Sequence, residues 1–151
     1  MSAGRVVLWI LRLGLAGVYL FAAIPKVLDP WSFARAIWNF RIVPLGPIPA
    51  ITLWLPILEG LAAFAVLIGV FRRGGLCILN ILSATFAAAI ISAMARGLDI
   101  DCGCFGHATT SKANISHLAL NVTLLAAGII LLVAALRRRR NRHAPVPDLH
   151  R

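Results

Sequence analysis

Four long apolar runs separated by short polar segments set the pattern of the chain. The first is 6–24, interrupted once by Arg12; the second, 51–70, contains Pro56 and Glu59; the third is 76–95 and the fourth runs over about 115–136. At a rise of 1.5 Å per residue, about 20 residues cover the roughly 30 Å hydrocarbon layer, so each run predicts a membrane-spanning helix. No run alternates with a period of two and no internal repeat is evident, which argues against strands and solenoids. The predicted fold is all-α, an integral membrane four-helix bundle over residues 1–136.

The segment between the first two runs is neither loop nor crossing. Asp29 precedes Pro30 as an N-cap before a first-turn proline, and Trp31, Ala34, Trp38 and Arg41-Ile42 recur at helical spacing. This predicts a short interfacial helix between spans 1 and 2, with its tryptophans at headgroup level, ended by Pro44, Pro47 and Pro49. A lid over a site in the bundle is the functional alternative to a simple connector.

Composition agrees. Of 151 residues, 60% are hydrophobic and 13% charged, against roughly 45–50% and 25% in soluble domains, which excludes an ordinary soluble fold as well as disorder. The net charge of +10 would point to nucleic acid in a soluble protein. Here the basic residues sit at the ends of apolar runs, so orientation in the bilayer accounts for them without a nucleic-acid partner.

If all four runs cross, ten basic residues share one side: Arg5, Arg12, Arg72, Arg73, Arg137, Arg138, Arg139, Arg140, Arg142 and Arg151. Only five, Lys26, Arg35, Arg41, Arg96 and Lys112, face the other. The positive-inside rule therefore predicts a cytoplasmic (inner) membrane protein with both termini cytoplasmic. Residues 137–151 read as a basic, disordered cytoplasmic tail. A cleaved signal peptide fits poorly, because the first run is long, contains Arg12 and lacks a small-x-small site before Pro25.

Candidate chemistry is concentrated between the third and fourth spans, in Asp99-Ile100-Asp101-Cys102-Gly103-Cys104-Phe105-Gly106-His107. Two cysteines one residue apart have Cα atoms at most about 7 Å apart, within reach of a strained disulfide that Gly103 permits. Such labile disulfides suit exchange with another protein's thiols, and the predicted orientation puts this loop outside, on the oxidising side. Three readings of Cys102 and Cys104 stay open: a redox-active dithiol, a static staple of a docking or assembly subunit, and a metal site using Cys102, Cys104 and His107 with Asp99, Asp101 or His117. The C-x-C spacing departs from the usual zinc knuckle, so no metal is assigned. Cys77, alone in the third span, reads as a small buried hydrophobe.

Polar residues inside the spans supply the remaining candidates. An ionised Glu59 in mid-span costs roughly 2.5–3.5 kcal/mol, which the eleven Leu, Ile, Val and Phe of that run outweigh. Its carboxylate should face the bundle, with Arg12 as a candidate partner unless Arg12 snorkels. Ser83, Ala84, Ala87, Ala88, Ser92 and Ala93 suit close helix packing, and Asn80 and Asn121 suit hydrogen bonds between helices. His117 should begin the fourth span. No phosphate loop, hydrolase triad or His-Glu-x-x-His is present in the sequence.

The motif Cys102-Gly103-Cys104-Phe105-Gly106 between the third and fourth of four spans resembles the MauE branch of the MauE/DoxX family of redox-associated membrane proteins. Leu11-Arg12-Leu13-Gly14, then Lys26-Val27-Leu28-Asp29-Pro30, together with Pro56 and Glu59, also resemble the family's pattern. The resemblance implies a DoxX-like bundle that passes electrons or disulfides between extracytoplasmic thiols and the membrane. The implied partner is a thioredoxin-like or cysteine-rich protein, as in maturation of a methylamine dehydrogenase-like exported enzyme. It further implies Cys102 and Cys104 as the reacting pair, supported by Gly103, Phe105, Gly106 and His107, with Arg12 and Glu59 inside the membrane and Lys26 at the outer interface. If the chain is an enzyme, it is then a thiol–disulfide oxidoreductase; no bound cofactor is expected, and a quinone is the candidate acceptor.

Overall fold

The computed structural model describes residues 3–98 and 115–142, and every regular element among them is helical. In chain order these are α1 (Ala3–Leu28), α2 (Pro30–Asn39), α3 (Ile48–Ile68), α4 (Arg72–Ala95) and α5 (Ile115–Arg142). Four of them, all but α2, are long and apolar enough to cross a membrane, as a multi-pass membrane protein requires. The Cys102-Gly103-Cys104-Phe105-Gly106-His107 motif, with Asp99, Asp101 and Lys112, lies outside the described residues, as does the side chain of His117.

The helices overrun the expected spans because backbone hydrogen bonding does not stop where the apolar run does. α1 passes through Pro25 to Leu28 instead of ending at residue 24. α3 begins at Ile48, with Pro47 as N-cap and a proline in its first turn. α4 starts at Arg72, and α5 continues through the arginines to Arg142, so the basic segment begins as helix, which arginine's good helix propensity allows.

Packing follows chain order. α1 lies chiefly on α3, α3 on α4 and α4 on α5, and α5 returns to α1. Leu15, Tyr19, Ala62, Ala63, Val66, Leu76, Leu79 and Leu131 form the central core. Between lipid-embedded helices close approach supplies the attraction that water would supply elsewhere, and small residues make it. At Gly75 an added Cβ would stand 2.8 Å from the Ala62 carbonyl oxygen and 3.0 Å from Val66 Cγ2, so only glycine lets α4 approach α3 there.

The inward stripe of α4 comprises Gly75, Leu76, Leu79, Ser83, Ala87, Ile90 and Ala93. Cys77 falls off that stripe and is exposed, which corrects its expected burial. Of the small residues expected to pack, Ser83, Ala87 and Ala93 are buried, whereas Ala84 and Ala88 face outward.

α2 starts where the sequence placed it but ends at Asn39, short of Arg41-Ile42 and of Pro44, because Arg41 turns left-handed. Asp29 caps it by accepting from the Ser32 backbone N–H at 3.0 Å, and Pro30 occupies the first turn. Phe33 and Ala36 face the bundle, while Trp31 and Trp38 are exposed. The end of α2 is tied to the end of α4: Arg96 donates to the Phe40 carbonyl at 2.5 Å and to the Arg41 carbonyl at 3.3 Å. Arg41 itself is held at φ 50, a left-handed conformation that a non-glycine residue adopts at a cost of roughly 1–2 kcal/mol. Phe40 packs with Ile90 and Ala93, and Phe86, Leu98 and Leu118 lie against them. The α1–α3 and α4–α5 connections therefore leave the bundle at the same end.

Candidate intramembrane site

The charged groups inside the spans find partners that differ from the expected pair. Arg12 does not meet Glu59. It is buried, donates from Nε to the Val66 carbonyl at 2.6 Å and from Nη2 to the Leu67 carbonyl at 2.8 Å, and lies 4.6 Å from the Trp9 ring centroid. Those carbonyls belong to the last turn of α3, where no further helical N–H follows, so a guanidinium from α1 caps the C-terminus of α3 and meets its negative dipole end. α3 then ends in a left-handed Gly69, φ 96, where an added Cβ would stand 2.7 Å from Arg12 Nη2.

Glu59 pairs with Lys26 instead, Nζ to Oε2 at 2.6 Å, with side chains only 12% and 8% exposed. The antiparallel register between α1 and α3 puts Glu59 roughly midway between Arg12 and Lys26. Side-chain direction decides between them. Side chains on a helix lean toward its N-terminus, so Glu59 and Lys26 lean toward each other while Glu59 and Arg12 lean apart. Lys26 is thus drawn into the bundle from its expected place at the interface, and Phe33 of α2 covers it, 5.6 Å from Nζ to the ring centroid.

Beside this pair lies a cavity of ≈ 180 Å³ whose wall includes Tyr19, Lys26, Glu59, Ser83, Phe86 and Asn121. The Tyr19 hydroxyl hydrogen-bonds the Ser83 hydroxyl and reaches the Leu79 carbonyl at 3.4 Å, giving a buried phenol its partner. Phe40, just after α2, meets Phe86 edge-on with ring centroids 6.1 Å apart, so α2 and the residue following it contact two wall residues, Lys26 and Phe86.

Asn80 and Asn121 do not make the expected hydrogen bonds between helices. Asn80 donates to the Leu76 carbonyl of its own helix at 2.7 Å, and the carboxamide oxygens of both residues are buried without a partner among the described residues. Thr52, Thr85 and Thr123 likewise bond back to the carbonyl four residues earlier, the cheapest way to satisfy a hydroxyl in hydrocarbon.

Of the residues singled out in the sequence, the structure brings Lys26 and Glu59 together and leaves Arg12 at the opposite end of the bundle. Tyr19 and the pairing role of Ser83 were not read from the sequence. The available signal was that the chain's single tyrosine falls inside the first apolar run, where its hydroxyl requires a partner. Among the described residues no three His, Cys, Asp or Glu side chains gather as metal ligands would.

Residues 4–134 match the family model for methylamine utilisation protein MauE. The Methylamine utilization protein MauE of Paracoccus denitrificans is 30% identical over 129 residues, covering 85% of this chain and 68% of that one. Its counterpart from Paracoccus versutus is 29% identical over 132 residues, covering 85% and 71%. No solved structure matches the chain.

Proposed function

The chain belongs to the MauE family, and on that premise we propose that it serves methylamine utilisation by exchanging disulfides through Cys102 and Cys104 with an extracytoplasmic thioredoxin-like or cysteine-rich protein. The observation that carries this reading is the charge asymmetry across the fold. The α3–α4 connection and the chain ends hold ten basic residues, with Arg12 counted at the end where it caps α3, and the end holding α2 and the α4–α5 connection has five. By the positive-inside rule the cysteine pair faces the compartment where disulfides persist.

In the reducing direction, one thiolate of the pair attacks a partner disulfide, forming a mixed disulfide and releasing a partner thiolate. The second thiolate then attacks the first cysteine's sulfur, which releases the reduced partner and leaves a Cys102–Cys104 disulfide. The reverse sequence oxidises a partner dithiol. Asp101 and Asp99 disfavour a thiolate at Cys102, whereas Cys104 is nearer in sequence to His107, Lys112 and the positive N-terminal end of α5, so Cys104 is the attacking residue.

The test is trapping in cells. Cys102→Ser accumulates a mixed disulfide between Cys104 and its partner, visible on a non-reducing gel and identified by mass spectrometry, and Cys104→Ser does not. An adduct only in Cys104→Ser reverses the assignment. If neither variant traps a partner and both sustain growth on methylamine, the dithiol mechanism is wrong.

A further inference from the structure

A second, smaller cleft lies at the opposite end of the bundle from the Lys26–Glu59 pair, where α4 begins, and the thiol exchange proposed above does not use it. Arg12 of α1 and Arg72 of α4 stand in its wall with Trp9, Leu131 and Ala134, and no carboxylate does. The half-charges at the end of α3 and at the start of α4 have opposite signs and cancel, so the wall carries about two positive charges.

Two local features call for an anion there. α4 opens on Phe71, whose side chain supplies no cap, and its first turn starts with Arg72-Arg73 and holds no acidic residue, at the helix end whose dipole favours negative charge. Arg73 turns to α5 and donates to the Ala135 carbonyl at 3.3 Å, whereas Arg72 lines the cleft. Arg12 supplies the second feature. It is 8% exposed, its Nε and Nη2 are taken by the Val66 and Leu67 carbonyls, and the two N–H donors of Nη1 have no acceptor among the described residues. Nη1 is not sealed off, so it forms the open edge of a buried guanidinium that lines the cleft.

The volume of ≈ 30 Å³ holds about two water-sized atoms, which suits the two unesterified oxygens of a phosphodiester. Everything else in such a molecule lies outside. Trp9 is half exposed, and Val6 and Leu13 continue its face of α1 as an apolar surface on which acyl chains can lie. Guanidinium forks match phosphate oxygens, but a headgroup ammonium would stand beside two cations. The phospholipid that fits therefore has a net negative charge.

We propose that this cleft binds an anionic phospholipid, its phosphate bridging Arg12 Nη1 and the Arg72 guanidinium and its chains lying along α1 beside Trp9. The unaltered chain, stripped of lipid in dodecyl maltoside, is mixed with equal amounts of dioleoyl phosphatidylglycerol, phosphatidylethanolamine and phosphatidylcholine, and native mass spectrometry counts the adducts. Phosphatidylglycerol is taken up about five-fold or more over either zwitterionic lipid, and excess inorganic phosphate does not displace it. To place the lipid, Trp9 is left as the single tryptophan by Trp31→Phe, Trp38→Phe and Trp54→Phe. Its fluorescence is then read in phosphatidylcholine nanodiscs holding a minority of phosphatidylglycerol with dibrominated chains. Quenching exceeds that by phosphatidylcholine carrying the same chains, and either Arg72→Gln or Ala134→Trp, which fills the cleft, removes the excess. Combined Arg138→Gln, Arg139→Gln, Arg140→Gln and Arg142→Gln changes leave both the uptake preference and the excess quenching in place.

Equal uptake of the three lipids, displacement by inorganic phosphate, or equal quenching by the two brominated lipids overturns the proposal. Loss of the preference in the Arg138–Arg142 variant would move the site to the basic segment and overturn it as well, as would excess quenching that survives in a folded Arg72→Gln or Ala134→Trp chain. The uptake comparison uses the unaltered protein, so it decides the matter even where a variant folds poorly. Failure of cysteine trapping leaves this binding result untouched, so the two readings fail separately.

Discussion

The losses caused by neutralising Glu59 and by removing Lys26 should not add, because the two side chains form one buried ion pair. Glu59→Gln preserves shape and removes the carboxylate charge, but it strands the Lys26 ammonium in a site where that side chain is 12% exposed. At 2.6 Å Coulomb's law with an effective dielectric constant of about 20 gives roughly 6 kcal/mol of attraction, which desolvation of the two ions offsets in large part. Breaking a buried pair from one side costs about 3–5 kcal/mol in soluble proteins. Polar couplings between membrane helices average about 0.6 kcal/mol with a maximum near 1.7, because a chain unfolded within the membrane also finds partners. We therefore expect Glu59→Gln and Lys26→Met each to lose about 2–3 kcal/mol. The double variant should lose at least 1 kcal/mol less than the sum of the single losses, a coupling typical of residues in direct contact. The assay is reversible unfolding of the detergent-solubilised protein on titration with sodium dodecyl sulfate, followed by far-ultraviolet circular dichroism. Additivity within about 0.5 kcal/mol would show that the contact is not energetically coupled and would refute the argument.

Three further outcomes follow from named contacts. Arg12→Met should destabilise by about 3 kcal/mol in the same titration, the loss of two charge-assisted bonds that leaves the Val66 and Leu67 carbonyls bare, and Arg12→Lys should recover only part because an ammonium lacks the planar fork. Gly75→Leu should cost about 1–3 kcal/mol or more by forcing α4 away from α3, while substitution of the exposed Ala84 by leucine stays within about 0.5 kcal/mol. A reporter fused after Arg142 should be active only in the cytoplasm and one inserted between Gly106 and Lys112 only outside; the opposite pattern would deprive Cys102 and Cys104 of an oxidising compartment.

The crossing helices and α2 were legible in the sequence because each rests on a local signal: an apolar run of the required length, or Asp29 followed by Pro30. The partners of the buried charges were not. Arg12 and Lys26 are comparable candidates for Glu59 on sequence and depth, and the choice turns on which way side chains lean on antiparallel helices, a fact of three-dimensional arrangement. Pro25 hid the last turn of α1, and that made Lys26 look interfacial. The cavity has no linear signature at all, since its wall draws Tyr19, Glu59, Ser83 and Asn121 from four different helices and nothing in the sequence marks them as neighbours.

The guanidinium cap on α3 also constrains how the chain is made. Arg12 and the carbonyl of Val66 are 54 positions apart, so the first helix is synthesised before its acceptors exist. At about 5–20 residues per second, the ribosome needs about 3–11 s to synthesise the intervening stretch. During that interval an arginine with no carbonyl partner sits within an otherwise apolar segment. α1 should therefore linger at the insertion machinery, or at the membrane's polar edge, until α3 arrives, and these two helices should enter the lipid phase as a pair.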